Sequence, residues 1–471
     1  MNPNIFREYD IRGIVGEHLT EETVQVLGHA IGTYLRRKGA TRIAVGFDAR
    51  ASSLRFSEII TSELNKTGCD VVLIGMVPTP VLYHTVHTAD VEGGVMITGS
   101  HNPPDHNGFK ICLGTAALFG PQIQEIKEIA LEGQFAFVGS KTAGSEPPAS
   151  AGGQPRGTVE SLDVLGDYIR DISSKVSLGP RPLKVVIDAG NGMGGVTAVP
   201  VYRKLGIDLI ELFTEPNPSF PNHHPDPTVE ANLQDLIDAV RKSKADIGIA
   251  FDGDGDRIGV VDETGRVMWG DELLIVLSRS VLATHPGATI IAEAKCSQTL
   301  FDDIAAHGGV GLMWKAGHSI IKAKMKETGA VLAGEMSGHM FFADRFYGFD
   351  DATYAGARVL EILSRTDKPL SALLAGIPRT FSTSELRVNC PDEIKFNVVQ
   401  KIANHFAHDH KVITIDGARI VFDNGWGIVR ASNTQAILVL RFEADSKKEL
   451  DKIGSEVESK VAEVIAKLKI H

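Results

Sequence analysis

Cysteine is scarce in this chain: Cys69, Cys112, Cys296 and Cys390 are the four in 471 residues, and they stand far apart. With no C-x-x-C spacing, neither a zinc site nor a disulfide framework is expected, and a reducing cytoplasm fits best. Long apolar runs are missing too. No uninterrupted stretch approaches ~18 residues, and Arg7, Glu8 and Asp10 break the beginning of the chain, so neither a membrane span nor a signal peptide is expected. Nor is there an excess of positive charge. The net charge of −11 argues against a surface built to meet nucleic acid or anionic membrane. Any anionic substrate must therefore meet positive charge collected locally.

What is present is an ordinary folding composition, 43% hydrophobic and 23% charged. At ~150 residues per domain the length predicts three domains, or four. Three stretches repeat one order of elements: strand, helix, strand, helix, strand, polar motif. The first has strands at 42–47, 71–74 and 94–97 and ends in Thr98-Gly-Ser-His-Asn-Pro-Pro104. The second has strands at 183–187, 208–212 and 246–251 and ends in Asp252-Gly-Asp-Gly-Asp-Arg257. The third has strands at 288–292, 310–313 and 330–333 and ends in Gly334-Glu-Met-Ser-Gly-His339. Apolar strands alternating with helices predict mixed, mostly parallel sheets, and ligands on such sheets sit beyond the carboxyl ends of the strands. Gly139 to Gly157 is rich in Ser, Ala, Gly and Pro and reads as an exposed linker. From about Pro369 the pattern changes to strands at 419–422, 427–430 and 436–442, followed by apolar residues from Leu450 to Leu468 at helical spacing. The expected architecture is three similar α/β domains (1–154, 155–257, 258–368) and a C-terminal α+β domain (369–471) around a central cleft.

Asp252, Asp254 and Asp256 alternate with glycines that let the backbone curl the carboxylates around one point. At ~4 Å and an effective dielectric near ~20, each pair of full charges costs on the order of 4 kcal/mol, so a divalent cation is the economical explanation, and oxygen ligands favour magnesium, calcium or manganese. An EF-hand would place Asp252, Asp254, Asp256 and Glu263 at its ligand positions, but Arg257 stands where its turn needs Gly, and strands flank the loop. Gly190, Gly192 and Gly195 spell G-x-G-x-x-G after a strand, with Glu211 about 20 residues on; a tight structural turn is favoured over a dinucleotide site. Ser100 sits in a loop stiffened by Pro103 and Pro104 and is a candidate nucleophile, although its surroundings do not match the G-x-S-x-G of hydrolases.

Together with Phe6-Arg-Glu-Tyr-Asp-Ile-Arg12 and Arg430-Ala-Ser-Asn-Thr434, these motifs resemble the α-D-phosphohexomutase family over all four segments. Gly334-Glu-Met-Ser-Gly-His339 is similar to its bacterial phosphomannomutase/phosphoglucomutase branch, whereas phosphoglucosamine mutases, the alternative, usually carry Gln at the place of Met336. The resemblance implies a phosphorylated Ser100, one magnesium ion on Asp252, Asp254 and Asp256 that also touches the phosphoserine, and reversible interconversion of hexose 1-phosphate and 6-phosphate of glucose and mannose. The route implied is a bound glucose or mannose 1,6-bisphosphate, which is also the activating intermediate and must turn end for end. By resemblance, Ser100, His101, Lys110, Arg257 and His318 form the catalytic set. Lys110 and the histidines are its candidates for general acid and base. Glu335 and Ser337 are implied to bind sugar hydroxyls, Arg430, Ser432, Asn433 and Thr434 the phosphate that is not reacting, and Tyr9, Arg12, Lys295 and His339 further parts of the substrate. Phosphosugars are the expected partners, with no nucleic acid and no membrane, and the chain is expected to be a monomer.

Overall fold

The computed structural model describes residues 1–136, 157–432 and 436–469. The expected linker, apart from Gly157, and the candidates Asn433 and Thr434 lie outside the described residues.

The three repeats fold as expected, and each is longer than its sequence outline. In the first, Arg42–Phe47, Asp70–Met76 and Gly93–Ile97 run parallel, and His106–Leu113 returns antiparallel to the third strand. The second repeats this with Lys184–Asp188, Asp208–Leu212, Ile247–Phe251 and the returning Ile258–Asp262. The third has Thr289–Glu293, Val310–Trp314, Leu332–Gly334 and the returning Met340–Phe342. All three sheets share the spatial order fourth, third, first, second. Every residue of each third strand is buried, as strands covered on both faces require. Each polar motif is the connection between the third strand and its returning partner, so the same point of each fold carries chemistry.

The returning strands lie outside the three-strand outline, although a strand is expected directly after the acidic loop, and they move the unit boundaries. Ile258–Asp262 and Val267–Met268 belong to the second sheet, so the expected division after Arg257 falls between paired strands. Val159–Ser161 pairs with Asp70–Met76 and joins the first sheet, on the far side of the division expected at 154/155. Leu370–Leu374 packs with the helix Gly270–Thr284 of the third unit, although position 369 was expected to open the fourth.

The first three units share one continuous core, to which Ala44, Val72 and Val81, then Val185 and Ile249, then Leu274 and Ile290 contribute. Their loops are thereby fixed to a single body. The fourth unit has its own core between an antiparallel sheet, containing Ala418–Phe422, Gly425–Ala431 and Ile437–Ala444, and the helices Asp392–Phe406 and Lys447–Lys469. The final helix buries Leu450, Ile453, Val457, Val461 and Val464, as their spacing predicts. A polar joint ties this unit to the third. Arg419, 1% exposed, donates to the carbonyl oxygens of Ala294 (2.6 Å) and Cys296 (2.8 Å) and lies over the Trp426 ring at 3.8 Å. Burial pushes its pKa down to about 10. The Ser297 hydroxyl and the Trp426 indole both donate to Glu443.

Asp351 joins the second and third units. Its carboxylate caps the helix Ala352–Ser364 by accepting from Tyr354 N at 2.9 Å and takes the Tyr168 hydroxyl at 2.9 Å. Complete burial raises its pKa to about 7. In the unfolded chain the group ionises near ~3.9. Between these values the unfolded chain releases a proton that the fold keeps, so stability falls as pH rises from about 4 to about 7 and stays at the lower level above it. Asp351→Asn keeps an oxygen for the cap and removes this loss. It should be more stable than the native chain by roughly 2–4 kcal/mol near pH ~8, with little difference near pH ~4. Thermal unfolding of both proteins across that range measures it, and a difference independent of pH contradicts the assignment.

Candidate active site

The serine loop begins where the third strand of the first unit ends. Ser100 adopts φ 51°, a left-handed conformation that costs a non-glycine residue roughly 1–2 kcal/mol and persists only under outside constraint. Arg50 supplies that constraint. Its buried guanidinium donates to the carbonyl oxygens of Ser100 (2.8 Å), Asn102 (2.6 Å), Pro103 (2.6 Å) and His106 (2.9 Å), and so fixes the loop from behind. Burial lowers the Arg50 pKa while Asp48, at 3.3 Å, opposes the fall. A Cβ on Gly99 would stand 2.5 Å from this guanidinium, which is why glycine precedes the serine. Thr98 Oγ1 accepts from Ser100 N at 2.8 Å.

The acidic loop of the second unit meets it. Ser100 Oγ donates to Asp252 Oδ2 at 3.2 Å, far inside the ~8 Å limit at which a shared site would need a hinge. This approach depends on Gly253, since a Cβ there would lie 2.2 Å from the Ser100 carbonyl oxygen. Asp252 Oδ1 accepts the backbone N–H groups of Asp256 and Arg257, both at 3.1 Å, and curls the loop so that ligand atoms of Asp252, Asp254 and Asp256 lie within 4.8 Å of one another. Lys110, on the returning strand of the first unit, donates to Asp254 Oδ2 at 2.7 Å and to Asp256 Oδ2. Thr79 Oγ1 donates to Asp254 at 2.6 Å. Burial and then the charges of Asp256 and Asp254 push the Asp252 pKa well above the carboxylate range. Burial acts the same way on Asp254, but Lys110 outweighs it and the pKa falls. Asp254 Oδ1 and Asp256 Oδ1 are buried and have no hydrogen-bond partner among the described residues. Three converging carboxylates with orphaned oxygens fit a hard divalent cation.

The two competing motifs resolve structurally. Glu263 accepts from Ser371 and lies between strands, so no EF-hand forms. Of the glycine-rich turn, Gly192 abuts Gly253 of the acidic loop, and Gly194 and Gly195 abut Phe251 and Thr214, so its glycines serve close packing within the unit.

Around these loops lies a cleft of about 840 Å³. Tyr9, Arg12, His101, Arg257, His318, Glu335, Ser337, His339, Arg430 and Ser432 all line it, so ten of the expected residues, drawn from all four units, share one space. His101 Nδ1 lies 3.2 Å from Ser100 Oγ, and burial, then Arg257 and Arg12, hold its pKa well below the usual value. The Tyr9 hydroxyl donates to Ala316 O at 2.8 Å, and Gly317 N donates to Glu335 Oε1 at 2.7 Å. Lys295 sits just behind the wall. Burial disfavours its charge, yet Glu293 and Glu385 hold its pKa above the ordinary value. Arg430 lies 3.4 Å from Asp416.

Several residues here escaped the sequence reading. Arg50, Asp48 and Thr79 act on the loops from elements whose local patterns are those of ordinary strand ends and helix starts. Asp350 and Lys322 lie behind the histidines, and Glu385 and Asp416 face the cleft cations. Only a polar residue in an apolar context, such as Asp350 after Phe349, could have flagged them, and that signal is weak without knowledge of burial.

Comparison with known proteins agrees with this geometry. Family profiles described as phosphoglucomutase/phosphomannomutase, alpha/beta/alpha domains I, II and III, match residues 3–137, 166–265 and 269–381, and the profile of the C-terminal domain matches 385–460. A phosphomannomutase/phosphoglucomutase of Pseudomonas aeruginosa is 44% identical over 96% of this chain and 94% of its own. A phosphoglucomutase of Neisseria meningitidis serogroup A is 44% identical over 96% and 95%. The crystal structure of a phosphoglucomutase/phosphomannomutase family protein from Burkholderia thailandensis superposes with a TM-score of 0.90 at 41% identity, covering 98% of both chains. With its four units, its three motif loops and the cleft they enclose, the chain belongs to the α-D-phosphohexomutase family, in the bacterial phosphomannomutase/phosphoglucomutase branch.

Proposed function

We propose that this enzyme interconverts the 1-phosphate and 6-phosphate of glucose and mannose by way of a phosphoserine at position 100. The observation that carries the reading is the placement of Ser100 Oγ 3.2 Å from Asp252 within the buried acidic cluster. The free hydroxyl of the sugar phosphate passes its proton to a base among Lys110 and the cleft histidines as its oxygen attacks the phosphorus of phosphoserine 100, the bond from phosphorus to Ser100 Oγ breaks, and a 1,6-bisphosphate results. The bisphosphate turns end for end and returns its other phosphate to Ser100. A cleft of about 840 Å³ lies toward the large end of small-ligand sites, ~300–1,000 Å³, and gives room for that turn.

Asp252, Asp254 and Asp256 would hold one magnesium ion, which when bound offsets the negative charge on the transferred phosphoryl oxygens. Lys110 and Arg257 add fixed positive charge from two sides, and His101 Nδ1 is within reach of the Ser100 hydroxyl proton. Arg430 offers a donor fork to the phosphate that is not reacting, and Ser432 beside it supplies a hydroxyl; Asn433 and Thr434 continue this segment. Lys295, Tyr9, Arg12 and His339 complete the contacts to substrate. Glu335, with one oxygen anchored by Gly317 N, and Ser337 take sugar hydroxyls. Because the cleft is assembled within one chain, the reading is of a monomer. The four cysteines are buried, in keeping with a cytoplasmic enzyme. Phosphoglucosamine mutase is the second reading, supported by a probable enzyme of that name from Methanopyrus kandleri at 32% identity.

Ser100→Ala should lower turnover of both 1-phosphates by at least about a thousandfold while sugar-phosphate binding, measured calorimetrically, changes less than about threefold. Near-normal turnover would remove the covalent route. Arg430→Ala should weaken substrate binding by about 2–5 kcal/mol, and unchanged KM and kcat would place the fourth unit outside the site. Chelation of divalent cations should abolish turnover, with recovery on adding magnesium. A clear preference for glucosamine phosphate over both neutral sugars would replace the substrate assignment.

A further inference from the structure

The second unit also reaches the serine loop through a segment that the chemistry above does not use. It spans 217–226, after the strand Asp208–Leu212, and contains Phe220-Pro-Asn-His-His-Pro-Asp226. Its seat is the glycine-rich turn. Asp188, fully buried at the end of the strand Lys184–Asp188, accepts from Gly190 N at 2.9 Å, and His223 Nε2 lies 3.0 Å from both of its carboxylate oxygens. A Cβ on Gly190 would stand 3.0 Å from Pro225 and 3.1 Å from His223, and Gly190 adopts φ 50°, so both space and backbone require glycine there. On the same turn, Asn222 Nδ2 donates to Asn191 Oδ1 at 2.7 Å.

From this seat the segment meets the serine loop. His224 Nε2 donates to the carbonyl oxygen of His101. Among the described residues, Arg50 takes the carbonyls of Ser100, Asn102, Pro103 and His106, and the intervening carbonyl of His101 goes to His224. The residue so held carries the ring whose Nδ1 lies 3.2 Å from Ser100 Oγ. Arg50 thus ties the loop to its own unit, and His224 ties it to the unit that owns the three aspartates. The next residue, Pro225, lies against the acidic loop itself, 3.5 Å from where a Cβ on Gly253 would stand. Phe220 completes the contact, with its ring 5.4 Å from the Arg50 guanidinium and edge-on to His224 at 6.3 Å between ring centres. It adopts φ 46°, an outlier for a bulky side chain that only surrounding contacts sustain.

We propose that His224, seated by Asp188, His223 and Gly190, is a positioning residue that holds the serine loop in register with the acidic loop, so that Ser100 and the His101 ring keep their places beside the three aspartates during transfer. The functional half of this rests on the phosphoryl-transfer reading above. The G-x-G-x-x-G turn, whose spacing resembles a dinucleotide site, then serves as the base of this clamp. Because the sugar and the distant phosphate are held by the third and fourth units, the clamp acts on transfer and not on substrate capture.

The test uses the full chain and two substitutions at one position. His224→Phe keeps a ring beside Phe220 and removes the donor, whereas His224→Gln gives up the ring and keeps an N–H that reaches the His101 carbonyl. Hydrogen exchange is followed by mass spectrometry without substrate. The peptide spanning 98–106 should exchange roughly tenfold faster in His224→Phe and within about threefold of native in His224→Gln. In parallel, kcat should fall roughly tenfold or more in His224→Phe with KM within about threefold, and His224→Gln should keep most of both. Asp188→Asn keeps an oxygen for Gly190 N and loses the charge that faces His223, so it should speed exchange of the same peptide by a smaller factor. Native exchange of that peptide in folded His224→Phe would overturn the proposal, and so would an unchanged kcat. Equal losses in both variants would overturn it as well, since the ring and not the hydrogen bond would then hold the loop. So would faster exchange spread over the whole second unit, the mark of general loosening. The exchange measurement involves no turnover, so the clamp stands or falls apart from the phosphoserine route, which Ser100→Ala tests.

Discussion

Three carboxylates are buried within contact distance of one another beside a serine hydroxyl, and the rest of the structure is arranged around that cost. Asp252, Asp254 and Asp256 are each fully buried, and carboxylates so placed need opposite charge or a proton to compensate them. Part of the compensation comes from Lys110, which belongs to the first unit while the acids belong to the second. Thr79 and Ser100, also from the first unit, give their hydroxyls to the same acids. The charge problem therefore joins the two units at the site of chemistry, and the continuous apolar core joins them again behind it.

The fourth unit is attached in a different way. Its core is separate, and its joint to the third unit is made largely of directed contacts: Arg419 to the carbonyls of Ala294 and Cys296, Ser297 to Glu443, and a small apolar cluster of Ala294, Trp426 and Ile428. Residues 293–297 carry both this joint and the carboxylate and ammonium of Glu293 and Lys295, so the segment that receives the fourth unit also lies just behind the cleft wall, where Lys295 pairs with Glu385. A chain with a net charge of −11 can thus gather cations at one place, because the acids that balance them locally, Asp416, Glu385 and Glu293, are fixed beside them.

The parts legible in the sequence were those whose signal is local. Alternation of apolar strands and helices marked three units, and a polar motif recurring at the end of each third strand marked the candidate site, although serine and aspartate taken singly are ordinary turn residues. The pairing of the returning strands was not legible. Ile258–Asp262 and Met340–Phe342 are short apolar runs directly after the motifs, and such a run by itself does not say whether the chain goes on to a new unit or folds back on the old one. That ambiguity displaced the boundary at Arg257. Arg50 and Asp350 were invisible for another reason: each acts on a loop roughly 50 positions away or on a histidine of another element, and long-range pairing leaves no periodic trace.

The same distinction explains why glycine recurs in the motifs. Gly99 leaves room for the Arg50 guanidinium, and Gly253 leaves room for the Ser100 carbonyl oxygen, so each serves a partner from elsewhere in the fold. A side chain at position 253 would push the serine loop and the acidic loop apart without touching a charged group, and one at position 99 would displace the Arg50 guanidinium that holds the serine loop. Charge stabilisation falls with distance and with the entry of water between the partners. Close backbone approach is therefore the condition under which the carboxylates, the lysine and the serine hydroxyl act on one phosphorus, and the glycines set that condition before any ligand arrives.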